Sequence, residues 1–460
     1  MFHRNSFSAG DRHPVRHPSS TDDPALDPLG RPHQRNLQQA EKSSCIRALD
    51  LLPRRSAREA KARFAPPASS CPSPSTVAGP PASRGREHPV FTGQCHQDFI
   101  VGADRCFDEV RQGPNPGANA AYIEELARCD DSCLSMSIVS PNGAVHHRGD
   151  GTVFSIQSIS KIFILACAVR RHGLQRISGH WATLSSRQRF DGPATAGLLG
   201  HPLEPEALAC TTPQSTTRLL ALMRAAGDTR FANASCNLGA IGLTMLLPSA
   251  DDAIARQEAL MRFIAETGAP SADRRNTVAT AHEVYGSEIR DTAGNQLRAR
   301  VAATLLADET PIDGDLPLHA FGQLQAYVAA CALAMNTGRL AAGFSAFATG
   351  RNIFTGQRVL TEPQARFVRE QMRVSGLYQD SLRFHEETGW IAKSGVGGGI
   401  VALCPETGIV VAVHSTRLDM SGNSARGLDL LRKIARSPEY LRLRETCRQA
   451  RSGPAAESAP

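Results

Sequence analysis

A chain of 460 residues, 41% of them hydrophobic, can bury one large core or two smaller ones, and aromatic residues at only 5% argue against a nucleic-acid binder that works by base stacking. The net charge of +7 is concentrated at the start, where residues 1–95 hold fourteen Lys or Arg against eight Asp or Glu; the remainder is nearly neutral and has no basic signature for a polyanion. The N-terminus lacks an apolar signal core and no run approaches the roughly 20 apolar residues of a membrane helix, so the expectation is a cytoplasmic protein with no membrane and no nucleic-acid partner.

Residues 1–95 are rich in Pro, Ser and Arg and follow neither a 3.6 nor a 2 residue period, which predicts a disordered extension. From about residue 96 amphipathic segments alternate until about 445, where a short disordered tail, 446–460, is expected. "NAAYIEELARC" (119–129) reads as a short helix. "CLSMSIVSPNGAVHHRGD" (133–150) reads as two strands joined by Pro-Asn-Gly, a hairpin signal. Residues 158–172 place Ile159, Ile162, Phe163, Ala166 and Val169 on one stripe, with Arg170, Arg171 and His172 in the last turn and Gly173 after it, a helix with a dipole-matched end.

The middle, about 235–345, is mostly helical in pattern, including "NLGAIGLTMLL", "ADDAIARQEALMRFIAETG" and "LQAYVAACALAMNTGRLAAGFSAFATG". Near the end "GVGGGIVALCPETGIVVAVHS" holds two β-rich runs about a Pro-Glu-Thr-Gly turn, and "SARGLDLLRKIARS" supplies a closing helix. Strands at both ends with helices between predict an α+β fold: one antiparallel sheet built from N- and C-terminal strands, flanked by helices and a helical subdomain. The twelve cysteines have irregular spacing and no CxxC pair, which reads as reduced thiols without a disulfide frame or zinc site.

Chemistry concentrates in two places. Ser158 and Lys161, three apart at the start of a helix, project from nearly one face, the S-x-x-K arrangement in which a lysine kept neutral by burial or nearby positive charge deprotonates a serine. Only five lysines occur in the chain, and a second one, Lys393, opens "KSGVGGGI" (393–400), a K-[ST]-G strand followed by glycines that allow close backbone approach. The Val396 amide is a candidate oxyanion donor there.

Taken in order, "FSIQSISKIF", "NLGAI", "VYGSEIRDTAGN", "LQAYVAAC", "VSGLYQ" and "AKSGVGGGIVALCP" resemble the serine-dependent glutaminases, a bacterial and mitochondrial family with a β-lactamase-like fold. The resemblance runs from about Asn119 to Ile434. It implies Ser158 as nucleophile, Lys161 as general base, Tyr378 as a further catalytic group, and Asn237, Glu288, Asn295, Tyr327, Tyr378 and Val396 around the substrate, with Tyr122 a candidate contact. It further implies L-glutamine and water as reactants, no metal or organic cofactor, and a homo-oligomer. A carboxylate at Glu288 suits a free α-ammonium, and phenols beside a neutral lysine can relay protons.

Two alternatives share parts of this pattern. A β-lactam-reactive enzyme also uses S-x-x-K and K-[ST]-G, but a Ser-Asp-Asn element is missing from the matching place. A catalytically impaired homologue with a structural or interaction role is the other, because residues 175–236 replace a family block, Gly-x-x-Pro-Ser-Gly with Phe-Asn-Ser and Asn-Pro-Phe, that should lie beside the pocket.

Overall fold

In the computed structural model, which describes residues 91, 93–121, 124–185, 195–198, 213–247, 253–268, 301–302, 305–306, 333–374, 384–419 and 422–452, the first regular element is helix α1 (Gln94–Gln112). All of these belong to one unit, Val77–Pro460; the other unit, Met1–Thr76, lies outside them. After α1 come α2 (Glu124–Ala127), the hairpin β1 (Ser135–Val139) and β2 (Val145–Arg148), and the short β3 (Phe154–Ser155). Helices α3 (Ser160–His172), α4 (Leu174–His180), α5 (Pro213–Ala225), α6 (Asn237–Met245) and α7 (Ala253–Glu266) form the middle. Then follow β4 (Ala334–Met335), α8 (Thr337–Thr349), α9 (Glu362–Val374), β5 (Ile391–Ser394), β6 (Gly399–Leu403), β7 (Val410–His414), α10 (Ala425–Arg436) and α11 (Pro438–Ser452).

Terminal strands do share a sheet, with order β2-β1-β7-β6-β5 and antiparallel pairing throughout. The Pro-Asn-Gly turn closes the first hairpin: Ser140 N–H donates to Ala144 O at 3.0 Å and Gly143 N–H to Ser140 O at 2.9 Å. Both faces of the central strands are covered, which is why "GIVAL" and "VVAVH" read as unbroken apolar runs. Val401, Leu403, Val410 and Ala412 face one core with α3, α6, α8 and α9. Ile400, Ala402, Val411 and Val413 face another with α1, α10 and α11. This two-residue alternation divides one sheet between two cores.

Four local expectations change. The expected stripe of α3 is instead a helix enclosed on every side: each residue from Ser160 to Val169 is buried, because α4, α6, α7 and α9 all pack on it. Within "LQAYVAACALAMNTG", the described part is the strand β4 followed by a new helix start. Asn336 Oδ1 accepts from Arg339 N–H at 2.9 Å, and β4 pairs with β3. At the C-terminus, where a tail is expected from 446, α11 continues to Ser452, held by the burial of Tyr440, Leu443 and Cys447 in the second core. That core also takes in Phe91, five residues ahead of the expected domain start at 96.

Candidate active site

Ser158 lies in a 3-10 turn, Gln157–Ile159, that leads directly into α3. Gln157 has φ 48°, and it is the only described non-glycine residue in the left-handed region. Such a conformation is held only by over-determining surroundings. Here Gln157 Nε2 donates to Ser155 Oγ at 2.9 Å, and Ser160 Oγ donates to Gln157 O at 2.8 Å. Ser158 alone in the run from Phe154 to Val169 is not fully buried, so the hydroxyl-bearing residue meets the surface of the site while Ser160 serves the turn.

One turn further, Lys161 is 1% exposed. Its Nζ donates to Asn237 Oδ1 at 2.6 Å and to Ser235 O at 3.1 Å. Fixing the carboxamide oxygen on Lys161 turns the amide NH2 of Asn237 away from it. Asn237 is the first residue of α6, whose N-cap is Cys236, with Sγ accepting from Gly239 N–H. Burial pushes the Cys236 thiol up, which keeps it protonated and able to donate to Asn233 O at 3.2 Å.

The approach to α6 is organised by residues that sequence reasoning missed. Asn233 Oδ1 accepts from the amides of Ser235 and Cys236 at 2.9 and 3.0 Å, an Asx turn that aims Ser235 O at Lys161. The signal was an Asn three residues before a helix cap. Gln371 of α9, fully buried, receives the Ala234 amide on Oε1 and donates from Nε2 to Ala182 O, each at 2.8 Å; no local pattern distinguishes it from a solvated glutamine.

Described residues within 175–236 supply part of this scaffold. Trp181 and Phe231 form a bridge and stack at 4.7 Å, and Trp181 Nε1 donates to Gly239 O at 3.0 Å, anchoring α6 from behind.

Strand β5 brings Lys393 and Ser394. Ser394 Oγ donates to Asn423 Oδ1 at 2.7 Å. Lys393 is 4% exposed and its ammonium is pushed down to about 7, first by burial and then by the charge of Lys161. The two lysines therefore occupy one buried site and resist simultaneous protonation.

The glycine turn after β5 seats Val396. A Cβ on Gly395 would fall 2.3 Å from Ile156 O, and one on Gly397 would fall 2.2 Å from Ser155 O. Only glycine lets this turn lie against the backbone that leads into Ser158. The Val396 side chain packs on Ala120, Leu126 and Leu418.

Of the sequence-expected site residues, Ser158, Lys161, Asn237 and Val396 are brought together around this turn and the two helix starts. Tyr122, Glu288, Asn295, Tyr327 and Tyr378 lie outside the described residues. Among the described residues no cluster of His, Cys, Asp or Glu could hold a metal ion, and no helix is long and apolar enough to cross a membrane.

The family model for glutaminase matches residues 117–202 and 214–440. A glutaminase of Colwellia psychrerythraea is 32% identical over 321 residues, covering 69% of this chain and 89% of its own. A glutaminase of Sinorhizobium fredii is 31% identical over 341 residues, covering 74% and 95%. Among solved structures, a probable glutaminase, YbaS, aligns with a TM-score of 0.55 at 25% identity over 74% of this chain and 96% of that one. Mglu in its glutamate form aligns with a TM-score of 0.56 at 28% identity over 74% and 69%.

Proposed function

Because the chain belongs to the glutaminase family, we propose that it hydrolyses the side-chain amide of L-glutamine to L-glutamate and ammonia through a γ-glutamyl ester on Ser158. The observation that carries this reading is the buried Lys161 one helical turn from Ser158, held by Asn237 Oδ1 and Ser235 O. These acceptors fix the direction of the Lys161 amine. The Lys393 ammonium beside it is pushed down to about 7, first by burial and then by the charge of Lys161, so the two resist being charged together.

In the first half-reaction Ser158 Oγ forms a bond to the carboxamide carbon, its proton passes to Lys161 Nζ, and the carbonyl π pair moves to oxygen. The main-chain amides of Ser158 and Val396 receive that oxyanion, as suggested by the packing of the glycine turn on residues 155–157. Collapse breaks the C–N bond, and the amine leaves as ammonia with the proton returned from Lys161 or through Tyr378. Water then adds to the ester carbon, giving up a proton to the same base, and glutamate departs as Ser158 Oγ is reprotonated. Asn237, Glu288, Asn295, Tyr327 and Tyr122 are assigned to holding the substrate, Glu288 opposite its α-ammonium.

Expression in the cytoplasm and assembly as a homo-oligomer complete the reading. The test is ammonia and glutamate release from L-glutamine by the purified full chain. Ser158→Ala is expected to reduce kcat by at least roughly a thousandfold, the scale of losing a nucleophile. Equal rates for the two proteins would overturn the mechanism, whereas a folded wild type that only turns over nitrocefin would favour β-lactam chemistry.

A further inference from the structure

The main-chain segments 181–184 and 231–234 run side by side as a short ladder, in which Ala182 N–H donates to Phe231 O at 2.8 Å and Leu184 N–H to Ala232 O at 3.0 Å. Two further groups of this ladder turn to a side chain instead. Gln371, fully buried in the last turn of α9, accepts from Ala234 N–H on Oε1 and donates from Nε2 to Ala182 O, each at 2.8 Å. Nε2 also donates to Thr183 Oγ1 at 3.0 Å. The carboxamide thus stands in the ladder as an inserted peptide unit, its acceptor spent on one segment and its donors on the other.

The helix that supplies Gln371 is itself fastened to the helix that carries Lys161. Gln364, two turns earlier on the same face of α9, donates from Nε2 to Val169 O in α3 at 3.2 Å, and α9 packs on α3. At the other end of α3, Lys161 Nζ donates to Ser235 O, the carbonyl of the residue that follows Ala234. The two glutamines therefore join α9 to the last turn of α3 directly and to its first turn through Ala234, Ser235 and Lys161. Asn233 cannot do this by itself. An Asx turn fixes the local path of residues 233–236, whereas the place of that turn relative to α3 needs a contact from an element packed on α3.

We infer that Gln371 is a positioning residue for the general base: by holding the Ala234 amide to α9 it sets Ser235 O against Lys161 Nζ and so orients the amine for Ser158. This rests on the reading of Lys161 as the base that deprotonates Ser158. Methionine at position 371 keeps the length of the side chain and loses its hydrogen bonds. Glutamic acid, kept neutral by burial, offers the same acceptor and one donor.

The test compares wild type, Gln371→Met and Gln371→Glu in the full chain by steady-state kinetics well below the melting transition of each, and by hydrogen exchange of the peptide spanning residues 231–240. Gln371→Met is expected to lose at least about tenfold in kcat with KM for L-glutamine within about twofold of wild type, as for a misplaced base, and to exchange faster in that peptide. Gln371→Glu is expected to recover part of the lost kcat. Wild-type kcat in folded Gln371→Met, a loss in kcat/KM that lies wholly in KM, or equal kcat in the two variants overturns the assignment. Should Gln371→Met not fold, the wild type still decides: exchange of the 231–240 peptide at the rate of an unstructured chain overturns the assignment. Should the folded wild type show no turnover, the reading of Lys161 as base falls, and the difference in exchange between wild type and Gln371→Met still decides whether Gln371 holds the segment.

Discussion

Lys161 Nζ and Asn237 Oδ1 meet at 2.6 Å although 76 residues separate them, and the bond ties the first turn of α3 to the first residue of α6. Ser235 O accepts from the same nitrogen at 3.1 Å because Asn233 has already turned the chain. A buried amine with two aimed acceptors is oriented, and orientation is what a proton transfer from a neighbouring hydroxyl requires.

Replacing Asn233 therefore acts on the base without touching it. Asn233→Ala leaves the Ser235 and Cys236 amides without their shared acceptor in a buried turn, which costs about 1–3 kcal/mol. The expected result is a lower melting temperature together with a loss of at least roughly tenfold in kcat. Asn233→Asp, which preserves the acceptor, is expected to recover more of the stability than Asn233→Ala does, as read by urea unfolding. Equal midpoints for the two variants would count against the Asx turn as the organising element.

Lys393 gives a pH signature. Its folded-state value of about 7 lies below the ordinary 10.5, so between these limits the unfolded chain binds more protons and stability climbs as pH rises. Below pH 7 the full cost of the buried cation is present, up to about 5 kcal/mol. Lys393→Met is expected to gain stability relative to wild type at pH 6 and to lose that advantage by pH 10, in denaturant titrations at both values. The acid limb of kcat/KM in the same variant is expected to move to higher pH, since the remaining amine no longer faces a second cation.

The glycine turn can be probed sterically. Gly395→Ala drives a Cβ to 2.3 Å from Ile156 O, a backbone atom that cannot step aside without moving Ser158. Gly179→Ala, in α4 and with no atom within 4 Å of the added methyl, is the matched control. Gly395→Ala is expected to lower kcat by roughly a hundredfold, the effect of an ångström-scale displacement. Gly179→Ala is expected to leave kcat unchanged and to stabilise by about 0.5–1 kcal/mol. Comparable activities in the two variants would detach the turn from catalysis.

The sheet was legible because β-strand alternation and the Pro-Asn-Gly turn are local signals, and α3 because its apolar spacing and Gly173 stop are local too. What α3 did not disclose was its burial on every side, since that depends on α4, α6, α7 and α9 arriving from elsewhere. The same holds in the site. Ser158, Lys161 and the K-S-G strand stand out as short motifs, but the Lys161–Asn237 bond, the Gln371 brace and the Lys161–Lys393 pairing are tertiary contacts between residues that carry no neighbouring mark. Residues 175–236 looked like a missing pocket wall. In the described parts of that stretch, Trp181, Phe231 and Asn233 instead build the support for Asn237.

His414 sets the response to acid. Its ring sits at about 4 in the folded chain against an ordinary 6.5, so the unfolded chain binds the extra proton first as pH falls. The contribution of the neutral ring is fully present above pH 6.5 and is lost progressively down to about pH 4, amounting to about 3 kcal/mol over that window. Asp150 is the charged group whose field reaches the ring, and it moderates the loss without reversing it. His414→Phe has no proton to take up there. Its unfolding free energy is therefore expected to decline less than that of wild type between pH 7 and pH 4.5, measured by urea titration at each pH. Parallel declines would mean that the imidazole is already protonated or exposed in the folded chain.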